Sequence, residues 1–446
     1  MPELVPARED WQETRPSAPA VAAGGSREWS WARRLWFRFG FLYLVVYNLP
    51  VALAWTPWSL GVLDRYLGLF RAVVPWVGRR VLHLGGEVSS APTGSGDRTF
   101  DYVQVLCMAA LAAGGALLWT VAARRRRQEW RLREGLRIYL RYTLGFVLLA
   151  HGMSIVFGVQ FPFPAIDRLQ ERVGDSSPMA LLWTFMGYSR TYTMFLGVPE
   201  ALSGLLLFFR RTTTLGALAA IAVSSHAIVL DFSYDVPQKL AALHLLLMSA
   251  WLLAPEVRRL ADGLVLDRPT VPADVAPPFA GRRARMVRPA VKALVVGWAL
   301  CAVTAQSYAR QRQLRLAPRP ELYGVYDVED FVRNGQAVPS WSGDPARWRR
   351  LVVPVPQMLA VAFADDSQRS FATEYGVRQV ALLSAEPGGR RAMLGRLDWS
   401  RPDPDHLLLA GSSSGDSLVI RLRRIDAKYL LVTRGFHLID DDPINR

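Results

Sequence analysis

Long apolar runs dominate the first two thirds of the chain. A helix needs about 20 residues to cross a hydrocarbon layer of about 30 Å, and seven runs approach that length. They lie at 36–56, 102–123, 138–159, 190–209, 212–230, 236–254 and 289–308. The hydropathy pattern therefore predicts a multi-pass α-helical membrane bundle of about seven transmembrane helices.

The segment 61–84, GVLDRYLGLFRAVVPWVGRRVLHL, differs from these runs because arginines recur along it. Long basic side chains can keep their charged heads in water while their stems cover apolar surface. This pattern favours a helix that lies in the membrane interface. A crossing helix is the alternative, and it would invert the topology of everything that follows.

The hydropathy pattern changes at about residue 317, where the apolar runs become short. Turn residues such as Asn334-Gly335, Asp365-Asp366 and Gly415-Asp416 separate them. Strand-length runs at about 10-residue spacing predict an antiparallel all-β barrel or sandwich domain over 317–446. Its opening sequence, ELYGVYDVEDFV, resembles the first strand of lipocalin-like barrels, with Tyr326 where that family usually has Trp. The resemblance implies a domain that binds a ligand or a partner.

The net charge of +15 is unevenly distributed along the chain. Residues 317–446 contain 17 basic and 17 acidic side chains, so the whole excess lies in the membrane half and does not indicate nucleic-acid binding. Within that half, 24 Lys and Arg lie in 1–38, 124–141, 210–211 and 256–292, against 9 in the alternate segments. The positive-inside rule then predicts a cytoplasmic N-terminus, an extracytoplasmic β domain and a location in the inner (plasma) membrane.

These patterns divide the chain into six segments. We expect a disordered cytoplasmic tail (1–28), two spans with the interfacial helix (29–135), a central bundle (136–254), a cytoplasmic linker (255–288), the last span (289–308) and the β domain (317–446). Cys107 and Cys301 lie inside apolar runs without CxxC spacing, so no disulfide or thiol motif is predicted.

One glutamate and three histidines lie inside the apolar runs: Glu200, His151, His226 and His244. A charged side chain at the centre of a span costs roughly 2.5–3.5 kcal/mol on insertion scales, so some compensating contact is expected. We predict that the carboxylate and the imidazoles converge on one ligand-binding pocket. Pro199 precedes Glu200 and predicts a kink there.

Three interpretations of this cluster stay open on the sequence alone. The groups can join helices by hydrogen bonds, bind a quinone or similar small molecule, or hold a metal or haem. The spans contain no HxxH or ExxH pair, which is the spacing that would favour a metal site. The β domain contains no GxSxG motif, no P-loop and no zinc-ligand spacing. Catalytic residues are therefore not assigned.

A family resemblance covers residues 136–254. The order LRIYLRYTLGFVLLAHGMSIVF, GVPEALSGLLLFFRRTTTLGALAAIAV, KLAALHLLLMSAWLL resembles the DoxX family of bacterial membrane proteins. That family is a four-helix bundle whose second helix reads G-x-x-E-x-x-G-G, which Gly197, Glu200 and Gly204 match, with Ser203 in place of the first paired glycine. His151-Gly152 matches the usual His-Gly of its first helix.

The resemblance implies a quinone-linked or redox-accessory subunit, because the family includes the small subunits of thiosulfate:quinone oxidoreductase. The alternative is a non-enzymatic scaffold whose polar cluster is purely structural and whose β domain recruits a periplasmic or membrane partner. Helices followed by an outer β domain also resemble the membrane domain found in vitamin K-dependent carboxylases. Fold and family do not by themselves fix which of these functions applies.

Overall fold

The computed structural model describes residues 29–54, 59–86, 88–91, 93–123, 129–270, 282–384 and 392–435. The predicted N-terminal tail, the middle of the predicted linker and the last residues lie outside these ranges. The described helices are α1 Trp31–Ala54, α2 Leu60–Arg80, α3 Thr99–Ala122, α4 Glu129–Val156, α5 Ile166–Gln170, α6 Pro178–Tyr188, α7 Arg190–Phe208, α8 Thr213–Ser233, α9 Lys239–Leu253, α10 Val257–Leu264, α11 Arg282–Leu316 and α12 Leu430–Thr433.

Seven helical segments within the described ranges are long and apolar enough to cross a membrane. They are Trp31–Ala54, Thr99–Ala122, Glu129–Val156, Arg190–Phe208, Arg210–Ser233, Lys239–Leu264 and Met286–Leu316. Each overlaps one of the predicted apolar runs, so the prediction of a multi-pass helical bundle is confirmed. Helix α2 is not among the seven, and it packs against α1 and α3.

Four of these helices form a ring. Helix α4 packs against α7 and α9, and α8 packs against the same two helices. Helices α4 and α8 therefore occupy diagonal positions. Helix α1 joins the N-terminal helices to this ring through α4, while α11 packs on the outside of α4. The ring is built from the segment 136–254, for which a four-helix core was predicted.

The closest helix crossing in the ring is lined by glycines. Gly145 and Gly152 on α4 face Gly204 and Gly197 on α7. A Cβ atom built on Gly197 would lie 2.7 Å from the carbonyl oxygen of Gly152, and one on Gly204 would lie 2.6 Å from that of Gly145. Only residues without a side chain allow two backbones to approach so closely, as in small-residue contacts of membrane helices.

Two charged side chains form hydrogen bonds with backbone groups at helix ends. Arg141 is buried, and its guanidinium donates to the carbonyl oxygens of Leu207 and Phe208 at 2.9 and 3.0 Å, where α7 ends. At the opposite side of the bundle, the carboxylate of Asp97 accepts from the backbone N–H groups of Lys239 and Leu240 at 2.7 and 2.9 Å. These bonds satisfy backbone groups that a helix end leaves without a partner.

The C-terminal domain is a closed antiparallel barrel. Its strands are β1 Gly324–Arg333, β2 Gln336–Ala337, β3 Trp348–Val355, β4 Met358–Phe363, β5 Gln368–Gly376, β6 Gln379–Leu383, β7 Met393–Ser400, β8 His406–Ser413 and β9 Asp416–Ile425. The eight long strands follow one another around the barrel, β9 pairs back with β1, and β2 extends β1 as a short hairpin. The predicted β domain is thus confirmed as a barrel rather than a sandwich.

Side chains fill the barrel interior. Tyr326, Trp348, Phe331 and Phe371 are buried there among leucines, isoleucine and valines. Asn334 and Gly335 both have positive φ, at 53° and 77°, and form the tight turn that the sequence signals between β1 and β2. A packed interior means that any docking role of this domain belongs to its outer surface.

The segment that connects α4 to α7, residues 157–189, touches both domains, and we call it the cap segment. Ile166 packs against Val325, Val352 and Ala360 on the outer wall of the barrel. Arg350 donates to the side-chain oxygen of Gln170 at 2.6 Å. Arg172 forms an ion pair with Asp366 at 2.7 Å. The barrel is therefore held against the helical bundle through the cap segment.

The glycine-lined crossing yields a stability prediction. Gly152→Ala should lower the free energy of unfolding in detergent by about 1–3 kcal/mol, because the added methyl group meets the backbone of α7. Gly114→Ala on α3 is the matched control, since a Cβ there meets no atom within 4 Å. Thermal unfolding of both variants checks the prediction. Equal melting temperatures would contradict the close approach of α4 and α7.

Candidate ligand site in the helix ring

A cavity of about 500 Å³ lies inside the ring, on the side of the cap segment. Its walls come from α4, α7, α8 and α9, together with the cap segment, which includes α6. Most of the lining is apolar, for example Leu148, Met186, Leu196, Val223 and Leu245. An apolar cavity with a few placed polar groups is the usual form of a small-molecule site.

His151 and Glu200 form the central polar pair of this cavity. Nδ1 of His151 lies 2.7 Å from Oε1 of Glu200, and both side chains line the cavity. The pair stands beside the glycine crossing, because His151 precedes Gly152 and Glu200 follows Gly197 by less than one helical turn. Helix α7 runs unbroken through Pro199, which also lines the cavity.

The pair leaves one imidazole nitrogen available. Nδ1 of His151 is occupied by Glu200, and Nε2 has no hydrogen-bond partner among the residues that the structure describes. The Glu200 side chain is 13% exposed and that of His151 39%, so the carboxylate lies deeper than the ring. A carboxylate behind an imidazole fixes its tautomer and stabilises its protonated form. The arrangement suits proton exchange with a ligand at Nε2.

Helix α8 contributes a second set of polar groups to the cavity: Ser224, His226 and Asp231. Ser224 and Asp231 are buried, at 2% and 9% exposure. Within the described part of the chain, neither the Ser224 hydroxyl nor the Asp231 carboxyl has a hydrogen-bond partner. Buried polar groups without partners are rare in proteins and are often found where a ligand binds.

His244 does not line the cavity. Its Nδ1 lies 2.6 Å from the carbonyl oxygen of Leu240, and its Nε2 lies 2.6 Å from the hydroxyl of Tyr43 on α1. Since a carbonyl can only accept, Nδ1 donates and Nε2 accepts from Tyr43. Tyr47 stacks on the ring, with centroids 3.8 Å apart. These contacts join α9 to α1.

The structure thus brings together three of the four residues expected at the pocket. His151, Glu200 and His226 line one cavity, whereas His244 faces the N-terminal helices. The sequence placed Asp231 near the cluster, in the outer loop that follows the apolar run, and gave no expectation for Ser224; the structure puts both on the cavity wall. Their separation of seven positions was an available signal, because it places them on the same face of a helix. Among the described residues, no group of three or more His, Cys, Asp or Glu is arranged to hold a metal.

Comparison with known proteins gives one relevant similarity. The "Uncharacterized protein YwoB" of Bacillus subtilis (strain 168) is 28% identical to this chain over 105 residues. The match covers 24% of this chain and 66% of the relative, so the chain spans just under two thirds of that relative's length. No family model and no solved structure matches the chain. The geometry of the cavity is therefore the main evidence on the function of this protein.

The placement of His244 predicts an effect on stability alone. His244→Phe keeps a flat ring against Tyr47 but removes both hydrogen bonds, so the melting temperature should fall, with a loss of about 0.5–1.5 kcal/mol per bond. Ligand binding in the cavity should remain unchanged. His151→Phe is the matched comparison and should affect binding. A loss of binding in His244→Phe would contradict this separation.

Proposed function

We propose that this protein is a membrane-embedded, quinone-linked accessory subunit that binds a quinone, or a lipid-phase molecule of similar chemistry, in the cavity of the helix ring. The observation that carries the proposal is the His151–Glu200 pair inside an otherwise apolar cavity. The resemblance of residues 136–254 to the DoxX family supports the same assignment. Electrons would be exchanged by a partner protein, because the sequence contains no cofactor motif of its own.

The chemistry of a quinone suits this site. Its ring and tail are apolar and reach the protein through the lipid, while its carbonyl oxygens need hydrogen-bond donors. Nε2 of His151 can donate to one such oxygen, and Glu200 offsets the positive charge that the imidazole gains when it takes up a proton. The ion pair formed in this way is neutral as a whole, so the apolar surroundings tolerate it better than either charge alone.

A structural scaffold is the second candidate function. It is favoured by His244 and Arg141, which are buried polar residues that only connect helices. If the His151–Glu200 pair acts in the same way, its removal lowers stability and leaves quinone binding untouched. In both candidates the outer surface of the barrel docks a protein partner, since its interior is filled.

Quinone titration separates the two candidates. Purified protein in nanodiscs is titrated with short-chain ubiquinone and menaquinone. We expect Glu200→Gln to weaken binding at least about tenfold, or about 1.4 kcal/mol, because a neutral amide cannot stabilise a protonated His151. Glu134→Gln is the control, since Glu134 pairs with Arg210 at 3.4 Å near the start of α4, away from the cavity.

Two results would reject the quinone site. Binding that is unchanged in Glu200→Gln, with a lowered melting temperature, would favour the scaffold. Equal weakening in Glu200→Gln and Glu134→Gln would show a general effect of removing charge. Mass spectrometry of small molecules that co-purify in mild detergent identifies a bound quinone independently of the variants.

We also propose that the protein lies in the inner (plasma) membrane with a cytoplasmic N-terminus and an extracytoplasmic barrel. The support is the alternation of basic residues between successive loops. In this orientation the cavity lies in the outer half of the bundle, because the cap segment connects it to the barrel.

Cysteine labelling in right-side-out spheroplasts tests the orientation. In a background without Cys107 and Cys301, Val377→Cys should react with a membrane-impermeant maleimide, because Val377 is 97% exposed on the barrel. Leu264→Cys is the matched control: it is 77% exposed at the end of α10 and should react only after lysis. The reverse labelling pattern would show an inverted topology.

A further inference from the structure

Asp231 combines burial with the lack of a partner. It lies two residues before the end of α8, its residue exposure is 9%, and it lines the cavity. No side chain or backbone group in the described ranges forms a hydrogen bond or ion pair with its carboxyl oxygens. A carboxyl group buried in this way is costly, and ionisable groups at such positions commonly have a function.

The position of Asp231 links the cavity to the aqueous edge of the bundle. Its carboxyl lies within electrostatic range of His151, Asp97 and Lys239. The Lys239 ammonium donates to the exposed carboxylate of Asp235 at 3.0 Å, which places this edge in contact with water. Charged groups of both the cavity and the exposed edge therefore lie near Asp231.

We infer that Asp231 transfers protons between the aqueous edge at Asp97 and Lys239 and the His151–Glu200 pair. In one direction, Asp231 takes a proton from water at this edge and gives it to a water molecule or ligand in the cavity, which passes a proton on to Nε2 of His151. In the other direction, the same proton returns to water. Only a proton moves, and Asp231 ends each cycle in the state in which it began.

The diagonal arrangement of α4 and α8 favours this assignment. His151 and Asp231 stand on opposite walls of the same cavity, so a ligand that contacts Nε2 of His151 lies between them. Ser224, on the Asp231 face of α8, offers a hydroxyl without a partner in the described residues, and a hydroxyl can pass a proton on. The inference rests on the proposed function, since quinone reduction consumes protons and quinol oxidation releases them.

The test follows the proton that His151 and Glu200 share. Protein with isotope-labelled histidine is studied by NMR in nanodiscs without ligand, and the Nδ1–H signal is assigned with His151→Gln. In Asp231→Asn its exchange with water should slow at least about tenfold, since a positioned proton carrier accelerates transfer by that much or more. Asp231→Glu should restore exchange, because it returns a carboxyl to the same place.

Asp235→Asn is the matched control: it removes a carboxylate of the same region whose side chain is 86% exposed, and it should leave the exchange rate unchanged. Exchange that is equally fast in Asp231→Asn overturns the inference. Slow exchange with a lowered melting temperature and no rescue by Asp231→Glu also overturns it, in favour of a structural effect. If Asp231→Asn fails to fold, Asp231→Ser replaces it.

The ligand-free design separates this inference from the function on which it rests. Failure of the wild-type protein to bind ubiquinone or menaquinone would remove the quinone proposal and leave the exchange result standing. Weaker quinone affinity in Asp231→Asn together with unchanged exchange would make Asp231 a ligand contact rather than a proton carrier.

Discussion

The contact between α4 and α7 is the constraint on which the rest of the bundle depends. Four glycines let the two backbones approach until a carbonyl of one helix lies against the Cα atoms of the other. At that separation a histidine on α4 reaches a glutamate on α7 without a water molecule between them, and their bond of 2.7 Å makes both tolerable in an apolar layer. Larger residues at the crossing would separate the helices, and the carboxylate would then remain in the cavity without its imidazole.

Polar groups in this bundle fall into two kinds that differ in how fully they are satisfied. Arg141 uses its guanidinium to close the end of α7, and His244 uses both ring nitrogens between α9 and α1. Both groups join one helix to another and serve packing. The groups at the cavity have hydrogen-bonding capacity left over. Within the described ranges, one ring nitrogen of His151 and the carboxyl of Asp231 have no hydrogen-bond partner. Unused hydrogen-bonding capacity on the wall of one shared cavity, rather than burial alone, marks the candidate site.

Much of this organisation could be predicted from the sequence, for physical reasons that also explain the failures. The spans could be predicted from the lengths of the apolar runs. The turn at Asn334-Gly335 could be predicted because these two residue types readily adopt positive φ. Both features depend only on local sequence. The proximity of His151 and Glu200 followed from the cost of ionisable groups inside apolar spans, which such groups lower by pairing. The orientation of His244 did not, because helical periodicity fixes a face but not the neighbour that this face meets. Asp231 comes directly after an apolar run, so the sequence alone predicts that it begins a loop.

The cap segment gives the barrel a physical connection to the cavity. Phe161 and Trp183 of this segment line the cavity, and Ile166, which lies between them in sequence, packs on the barrel wall. A partner that binds the barrel can change the affinity of the cavity by shifting the cap segment between two arrangements. Such coupling requires that the partner and the ligand differ in which arrangement they favour. The ion pair of Arg172 with Asp366 is exposed and the apolar contact of Ile166 is small. The exposed ion pair therefore adds little to the attachment, and the hydrogen bond of Arg350 to Gln170 together with the Ile166 contact holds the cap segment to the barrel.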